Sequence, residues 1–256
     1  MSQDTGATTT AASEGEATGV PPAGRRSRRH KRRAGRGFSF WLGLVLVLAG
    51  LGMLGYVGWQ MYGTNIVSRQ AQERIVEDLT EQWAVAPDTT IDGEPAPDPA
   101  GVPLGDASAL IRIPAFGDDY IVPVLEGIGD EELSSGYGHF PDTADPGERG
   151  NYALAAHRVT HGEPLRDMPE LRPGDEVIVE TRDAIYTYEL DTNPNDLIVT
   201  FEDIWVIDPL PKNPDGGVQP AQRPGQKLIT LTTCSELFPT DNRMIAFGHL
   251  VDTQQK

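Results

Sequence analysis

The sequence predicts an all-β domain, either a closed barrel or a sandwich, carried behind one membrane-spanning helix and a linker. Three observations predict it. From Leu110 onward, short runs rich in β-branched and aromatic residues alternate with turn residues, with no helical periodicity long enough to compete. Well ahead of that region, Phe38 to Tyr62 is a run of 25 residues without a charge. Between the two, residues 85–106 are dense in Pro, Gly and Asp, a composition that favours an extended spacer over a folded unit.

In chain order, residues 1–36 carry eight Lys or Arg against three acids, a net of +5 within a whole chain of -17. The remaining 13 bases face 35 acids, a net of -22, so the body repels phosphate backbones and nucleic acid is excluded as a partner. Met1 to Gly24 holds too little apolar surface to offset chain entropy and is expected to be disordered. The basic cluster "RRSRRHKRR" stands directly before the uncharged run, which as a helix of 25 residues is long enough to cross a bilayer with some tilt. Phe38, Phe40 and Trp41 at one end and Tyr56, Trp59 and Tyr62 at the other suit the two interfaces. A removable signal peptide is the rival reading, but the run is too long and lacks a clean small-residue cleavage site. Positive flanks stay in the cytoplasm, so the N-terminus is expected inside and the body outside the cell membrane.

After the span, Val67, Ala71, Ile75, Leu79 and Trp83 recur at steps of four, a narrow apolar stripe that predicts a helix over 67–84, leading away from the membrane or lying along it. The expected organisation is a cytoplasmic tail over 1–36, a transmembrane helix over 37–62, a juxtamembrane helix and linker over 63–106, and a folded domain over 107–256. Eight strands are expected in that domain: Leu110 to Pro114, Tyr120 to Leu125, Tyr152 to Ala156, Glu176 to Thr181, Ile185 to Leu190, Leu197 to Ile207, Lys227 to Thr233 and Met244 to Val251. Gly117 to Asp119 and Arg182 to Asp183 read as tight hairpins, and Pro164 to Leu171 as one or two helical turns. Strands in so small a domain must avoid open edges, which is why closure or a sandwich is expected.

Cys234, in "TLTTCSELF", is the only cysteine, so neither an intramolecular disulfide nor a multi-cysteine zinc site is open to the chain. A lone Cys at a strand end is often a small buried hydrophobe. A nucleophilic one needs a proton acceptor, an oxyanion donor and exposure. His157 ends the apolar strand "YALAA" as Cys234 ends "KLITLTT", and Arg243 opens the next strand, its planar fork suited to a carbonyl oxygen. His139, His161 and His249 are the other histidines beyond the tail. His157 and His161 share a spacing that could ligate zinc on a helix, but the surrounding Gly and Pro speak against a helix there, and no metal or other cofactor is expected.

"LTTC" at Leu231 to Cys234, Arg243 beyond it and "GNYALAAHR" at Gly150 to Arg158 together resemble the sortases. "IRIPAFGDDYIVPVLEGI" and "YGHFPDTADPGERGN" resemble that family's approach segments, and the resemblance covers Leu110 to Val251. It implies a closed eight-stranded β-barrel and a cysteine transpeptidase that cleaves a C-terminal sorting signal between Thr and Gly. The protein so released would be joined through a thioester to an amine of a cell-wall precursor, lipid II. Carried over, Cys234 is the nucleophile, His157 the acid/base and Arg243 the oxyanion or backbone donor, with Thr233 at the same strand end as a further substrate contact. The "HRVTHG" loop and the long spacer resemble class E members, which imply LAxTG signals beside LPxTG ones. Where some of those relatives carry Tyr in this loop the chain has His161, which could donate a similar hydrogen bond to substrate. The Asp-Pro-aromatic lid of the pilus class is altered here to Asp98-Pro99-Ala100. A cysteine hydrolase using water, or a barrel that only binds wall components, would be the alternatives.

Overall fold

The computed structural model describes residues 37–59, 63–84, 106–235 and 241–256. The basic tail, the end of the apolar run at Gln60 to Tyr62, the Pro-rich linker with Asp98-Pro99-Ala100, and residues 236–240 lie outside the described residues. By its contacts the chain divides into residues 1–48 and 49–256. Helix α1, Phe38–Gly58, buries none of its side chains and is long and apolar enough to cross a membrane. At about 1.5 Å per residue it matches a hydrocarbon core of about 30 Å.

Within the second unit, α2 spans Thr64–Ala84, three residues earlier than the apolar stripe suggested. Its buried positions are Ser68, Gln72 and Leu79, while Val67 is exposed. A strict step of four drifts around a helix of 3.6 residues per turn, so the face that meets the rest of the unit takes in only part of the predicted stripe. Contacts with the first strands hold α2 against the β-domain, and Lys256 Nζ stands 4.6 Å from the centre of the Trp83 ring at its far end.

The β-domain comprises β1 (Ala107–Arg112), β2 (Val122–Glu126), β3 (Tyr137–His139), β4 (Gly150–Ala155), β5 (Glu176–Glu180), β6 (Ala184–Leu190), β7 (Ile198–Thr200), β8 (Lys227–Cys234) and β9 (Asn242–Gln255). A short helix, α3, spans Asp130–Ser135 between β2 and β3, with Asp130, Glu131 and Glu132 in its first turn, where the helix dipole favours negative charge. Hydrogen-bonded neighbours run β6-β5-β1-β2-β3-β4-β8-β9, and β9 pairs back onto β6, so eight strands close a barrel. Closure works because β9 is 14 residues long. One of its edges holds β8, and the other serves β7 at its start and β6 at its end.

Eight strands was the expected count, but the membership differs in two places. β3 has three residues, too few to show an alternating pattern, with Gly136 just before it and Gly138 at its centre. Conversely, the expected strand over Leu197 to Ile207 yields only β7 and then a single-turn 3-10 helix at Ile204–Ile207. The Asp203 carboxylate accepts from both the backbone N–H and the hydroxyl of Thr200, at 2.8 and 2.7 Å, and this local turn outcompetes the ladder. β7 lies outside the closed ring.

Side chains alternate as period-two strands require. Tyr152 and Leu154 of β4 with Ala156 just beyond it, Ile229 and Leu231 of β8, and Met244 and Ala246 of β9 fill the barrel interior. Ile245 and Phe247, on the opposite face of β9, pack outside it under Leu197 and Val206. Asn151 fixes that outer layer. Its buried amide donates to the carbonyls of Val206 and Asp208, both at 3.1 Å, and accepts from the Thr230 hydroxyl at 2.8 Å.

One polar network lies within the barrel wall. His139 is buried, with Nδ1 2.8 Å from Glu126 Oε2, and Nε2 2.9 Å from Thr143 Oγ1. The Ser108 hydroxyl donates to the other carboxylate oxygen at 2.7 Å. Burial opposes the charge on Glu126, but the hydrogen bond and attraction from His139 outweigh it and hold the carboxyl below its ordinary value. Glu126→Leu leaves both donors without an acceptor and should lower unfolding free energy by about 1–3 kcal/mol in urea denaturation. Because the folded carboxyl titrates low, the wild-type advantage is full above the ordinary carboxylate range and should fade as pH falls through the folded value.

Candidate active site

β4 and β8 run parallel in unbroken register from Gly150 opposite Lys227 to Ala155 opposite Thr232. Pairing persists one step further, where Ala156 N–H donates to the Thr232 carbonyl at 3.1 Å. His157 and Cys234 each lie two residues beyond the last paired couple, at matched positions on adjacent strand ends. The third expected residue is next in line, because Cys234 is the direct partner of Arg243 in the antiparallel β8–β9 ladder. Alternation puts all three on the outer face of the barrel, with Ala155, Thr232 and Ile245. The expected triad is thus brought to one place by three neighbouring strands.

Cys234 is a free, half-buried thiol. Arg243 Nη1 donates to the carbonyl of the preceding residue on its own strand, Asn242 O, at 2.9 Å, which steadies the guanidinium. Beside them a groove of about 330 Å³ runs along the outer face, with Ala155, Thr232, Arg243 and Ile245 on its floor and Val199, Phe201 and Ile204 along its wall. Phe201 and Ile204 are 58% and 70% exposed, a large apolar surface for a loop to hold in water. Thr232 lines this groove, and among the described residues its hydroxyl has no hydrogen-bond partner.

The loop after His157 folds back sharply. His161, Gly162 and Glu163 all take left-handed conformations, with φ of 54°, 84° and 57°. This turn brings the His161 ring to 4.6 Å from the His157 ring, centre to centre, at an angle of 32°. The Thr160 hydroxyl lies between the rings, 3.0 Å from His161 Nδ1 and 3.5 Å from His157 Nδ1. Burial is the main reason that the His157 pKa falls from 6.5 to about 4. His161 and the Arg243 charge push the same way, and Asp130 opposes them. At neutral pH, His157 is therefore an uncharged base.

Thr233 is placed differently from the expectation of a substrate contact. Its hydroxyl is buried and donates to the Ala156 carbonyl at 2.7 Å, so it joins the two strand ends from behind. His139 belongs to the Glu126 network, and the exposed His249 pairs with Asp191 at 2.9 Å. Only His157 and His161 of the described histidines stand at the site. Two contributors went unnoticed in the sequence: Thr232, and Arg158, whose guanidinium donates to the Ser235 carbonyl and so ties the histidine loop to the cysteine loop. "HR" and "TTC" expose both residues to view, but nothing local says where a hydroxyl or guanidinium points. Among the described residues, no three His, Cys, Asp or Glu side chains converge as a metal-binding set.

A sortase-domain family signature matches residues 111–251. The chain is similar to sortase SrtE1 of Streptomyces coelicolor, with 33% identity over 91% of this chain. That match spans 63% of the relative's own length. Among solved structures it resembles sortase E of Streptomyces avermitilis, with 38% identity and a TM-score of 0.52 over 60% of this chain and 93% of the other. Sortase E1 of S. coelicolor, solved with a tripeptide in its active site, is similar at 34% identity and a TM-score of 0.50, over 58% of this chain and 90% of that one.

The depressed His157 pKa carries a stability consequence. Unfolded, this group takes a proton near 6.5; folded, only near about 4. Its contribution is therefore complete above the unfolded value and is lost as pH falls through the folded one. Wild type should lose more unfolding free energy than His157→Gln between about pH 7 and about pH 5, as read by denaturant titration.

Proposed function

The chain belongs to the sortase family, and on that premise we propose that it is a membrane-anchored cysteine transpeptidase acting on C-terminal sorting signals outside the cell. The observation that carries this reading is the meeting of His157, Cys234 and Arg243 on three adjacent strand ends, with Arg243 and the strand neighbours Ala155 and Thr232 lining one apolar groove. α1 would hold the enzyme in the membrane with its basic N-terminus in the cytoplasm and the barrel on the outer side. The groove would take the signal in extended form, its small apolar residues against Ala155 and Ile245 and a backbone group on the Thr232 hydroxyl.

In the proposed cycle the Cys234 sulfur attacks the carbonyl carbon of the signal's Thr while its proton passes to His157. A base lowered to about 4 is uncharged at neutral pH and free to take that proton. Negative charge develops on the carbonyl oxygen, where Arg243 stabilises it. As the Thr–Gly bond breaks, His157 returns the proton to the departing Gly amine, leaving a thioester on Cys234. An amine of the cell-wall precursor then attacks the thioester, giving its proton to His157. The new amide leaves, and the sulfur regains a proton. Anchoring enzyme, signal and precursor at one membrane face raises their local concentration.

Class E likeness favours LAxTG signals, with LPxTG ones as the comparison. The full chain in detergent, given quenched peptides of both types with and without an added amine, should form an amine-joined product. Cys234→Ala should abolish cleavage, and His157→Ala and Arg243→Ala should lower kcat/KM by roughly 10²-fold or more. Cleavage that survives in Cys234→Ala would sink the thiol mechanism, and water capture undiminished by any amine would make the protein a hydrolase.

A further inference from the structure

The face that α2 turns to the barrel is unusual for a docked helix. Its first half is polar, with Asn65, Ser68 and Gln72 at spacings of three and four, while Ala71, Ile75, Val76 and Leu79 supply the apolar contacts further along. Ser68 and Gln72 are 5% and 6% exposed. Burying polar groups is unfavourable unless they are hydrogen-bonded, so such a face is suited to particular partners more than to general apolar packing. A cavity of about 330 Å³ left beside it, lined by Gln72, Tyr120, Gly162 and Arg166, agrees with that.

The partners are two consecutive residues of the active-site loop. The Gln72 side-chain amide donates to the His161 carbonyl at 3.2 Å, and Asn65 Oδ1 accepts from the Gly162 N–H at 3.1 Å. Gly162 has a left-handed φ of 84°, and a Cβ there would meet the Gln72 amide at 2.7 Å and push that side chain away. Two non-glycine neighbours, His161 and Glu163, are held left-handed as well. That conformation is unfavourable for L-residues and persists where surroundings fix it. Arg69 approaches Glu163 at 3.9 Å, but its side chain is 61% exposed, so this pair contributes little. The hydrogen bonds from Asn65 and Gln72 are the restraint that matters, and the other side of the same turn is the His161 ring resting on His157.

We propose that α2 is a positioning element of the active site: through Asn65 and Gln72 it clamps the loop that presses His161 onto His157, and so sets where the acid/base group stands. This rests on the reading of His157 as that group. The helix that follows the membrane anchor, ending the interval from Gly58 to Thr64, then belongs to the catalytic apparatus and is more than a stalk.

The test uses the full chain in detergent micelles, comparing wild type, the double variant Asn65→Leu/Gln72→Leu, Asn65→Leu alone, Asn65→Asp, and Arg74→Ala on the exposed side of α2. Three quantities are read: hydrogen exchange of residues 158–163, the NMR titration of the His157 ring, and kcat and KM for an LAxTG peptide. The double variant should lose protection at Gly162, raise the His157 pKa towards its ordinary value, and lower kcat about tenfold with KM changed far less. Asn65→Asp, which keeps an acceptor for the Gly162 N–H, should recover most of what Asn65→Leu loses, and Arg74→Ala should match wild type. A double variant with lost protection but wild-type kcat and His157 titration overturns the proposal. So does one whose loop protection is unchanged. If wild type joins no peptide, the reading of function fails by itself, and the His157 titration alone still decides whether α2 sets the base.

Discussion

Everything at the site depends on the register of one parallel pair, β4 on β8. Matched pairing from Gly150 with Lys227 to Ala155 with Thr232 makes His157 and Cys234 leave their strands at the same level. A slip of one residue in either strand would turn all of its side chains to the other face. Either His157 would then point into the barrel with Ala156 facing out, or Cys234 would do so with Thr233 facing out. Interior residues forbid the slip: Tyr152, Leu154, Ile229 and Leu231 are all 1% exposed or less. The Thr233 hydroxyl bonded to the Ala156 carbonyl closes the register at its catalytic end, and Thr230 bonded to Asn151 fixes it midway. Core packing and site geometry are therefore a single constraint.

That constraint also explains why the site lies outside the barrel. The interior is filled, as small barrels are, and can hold no peptide. What remains is the outer face of β4, β8 and β9, an open sheet surface until the segment after β7 folds over it. Asn151 reaches from β4 to the carbonyls of Val206 and Asp208 and holds that segment as a wall. In the proposed function, a groove with one rigid floor and one pinned wall would give an extended chain shape and apolar contact, and specificity would fall to the few polar residues along it, Thr232 and Arg243 among them.

Much of this was legible in the sequence, and the parts that were not share a cause. Cys234 and His157 stood out because each sits where a strong strand pattern stops, and Arg243 because it sits where the next one starts, and a pattern's boundary is a local signal. Seven of the eight expected strands are present for the same reason. β3 is too short to have a period, and the Leu197 to Ile207 run is β-like in composition but broken by the Asp203 turn onto Thr200. The roles of Thr233 and Arg158 depend on which way a side chain faces across 77 residues of chain, and the docking of α2 on contacts 89 and 97 residues apart. No window of neighbouring residues contains that information. In α2 the sequence even misdirects, because the polar residues that would mark a solvent face are the ones that bind the loop.

The electrostatics of the triad follow from the same packing. His157 is kept neutral mainly by burial, and the Arg243 charge adds to that effect at rest. During the proposed attack His157 gains a proton while negative charge grows on the carbonyl oxygen beside Arg243. The arginine that disfavours the imidazolium in the empty enzyme is then partly neutralised by the oxyanion, so its penalty on His157 shrinks as the transition state forms. On the proposed mechanism, one fixed charge would thus stabilise the attacked oxygen and withhold protonation of the base until that oxygen is charged. Lysine on a flexible stem would supply the charge without the fixed direction. Arg243 has that direction because it is paired across the ladder with the cysteine itself.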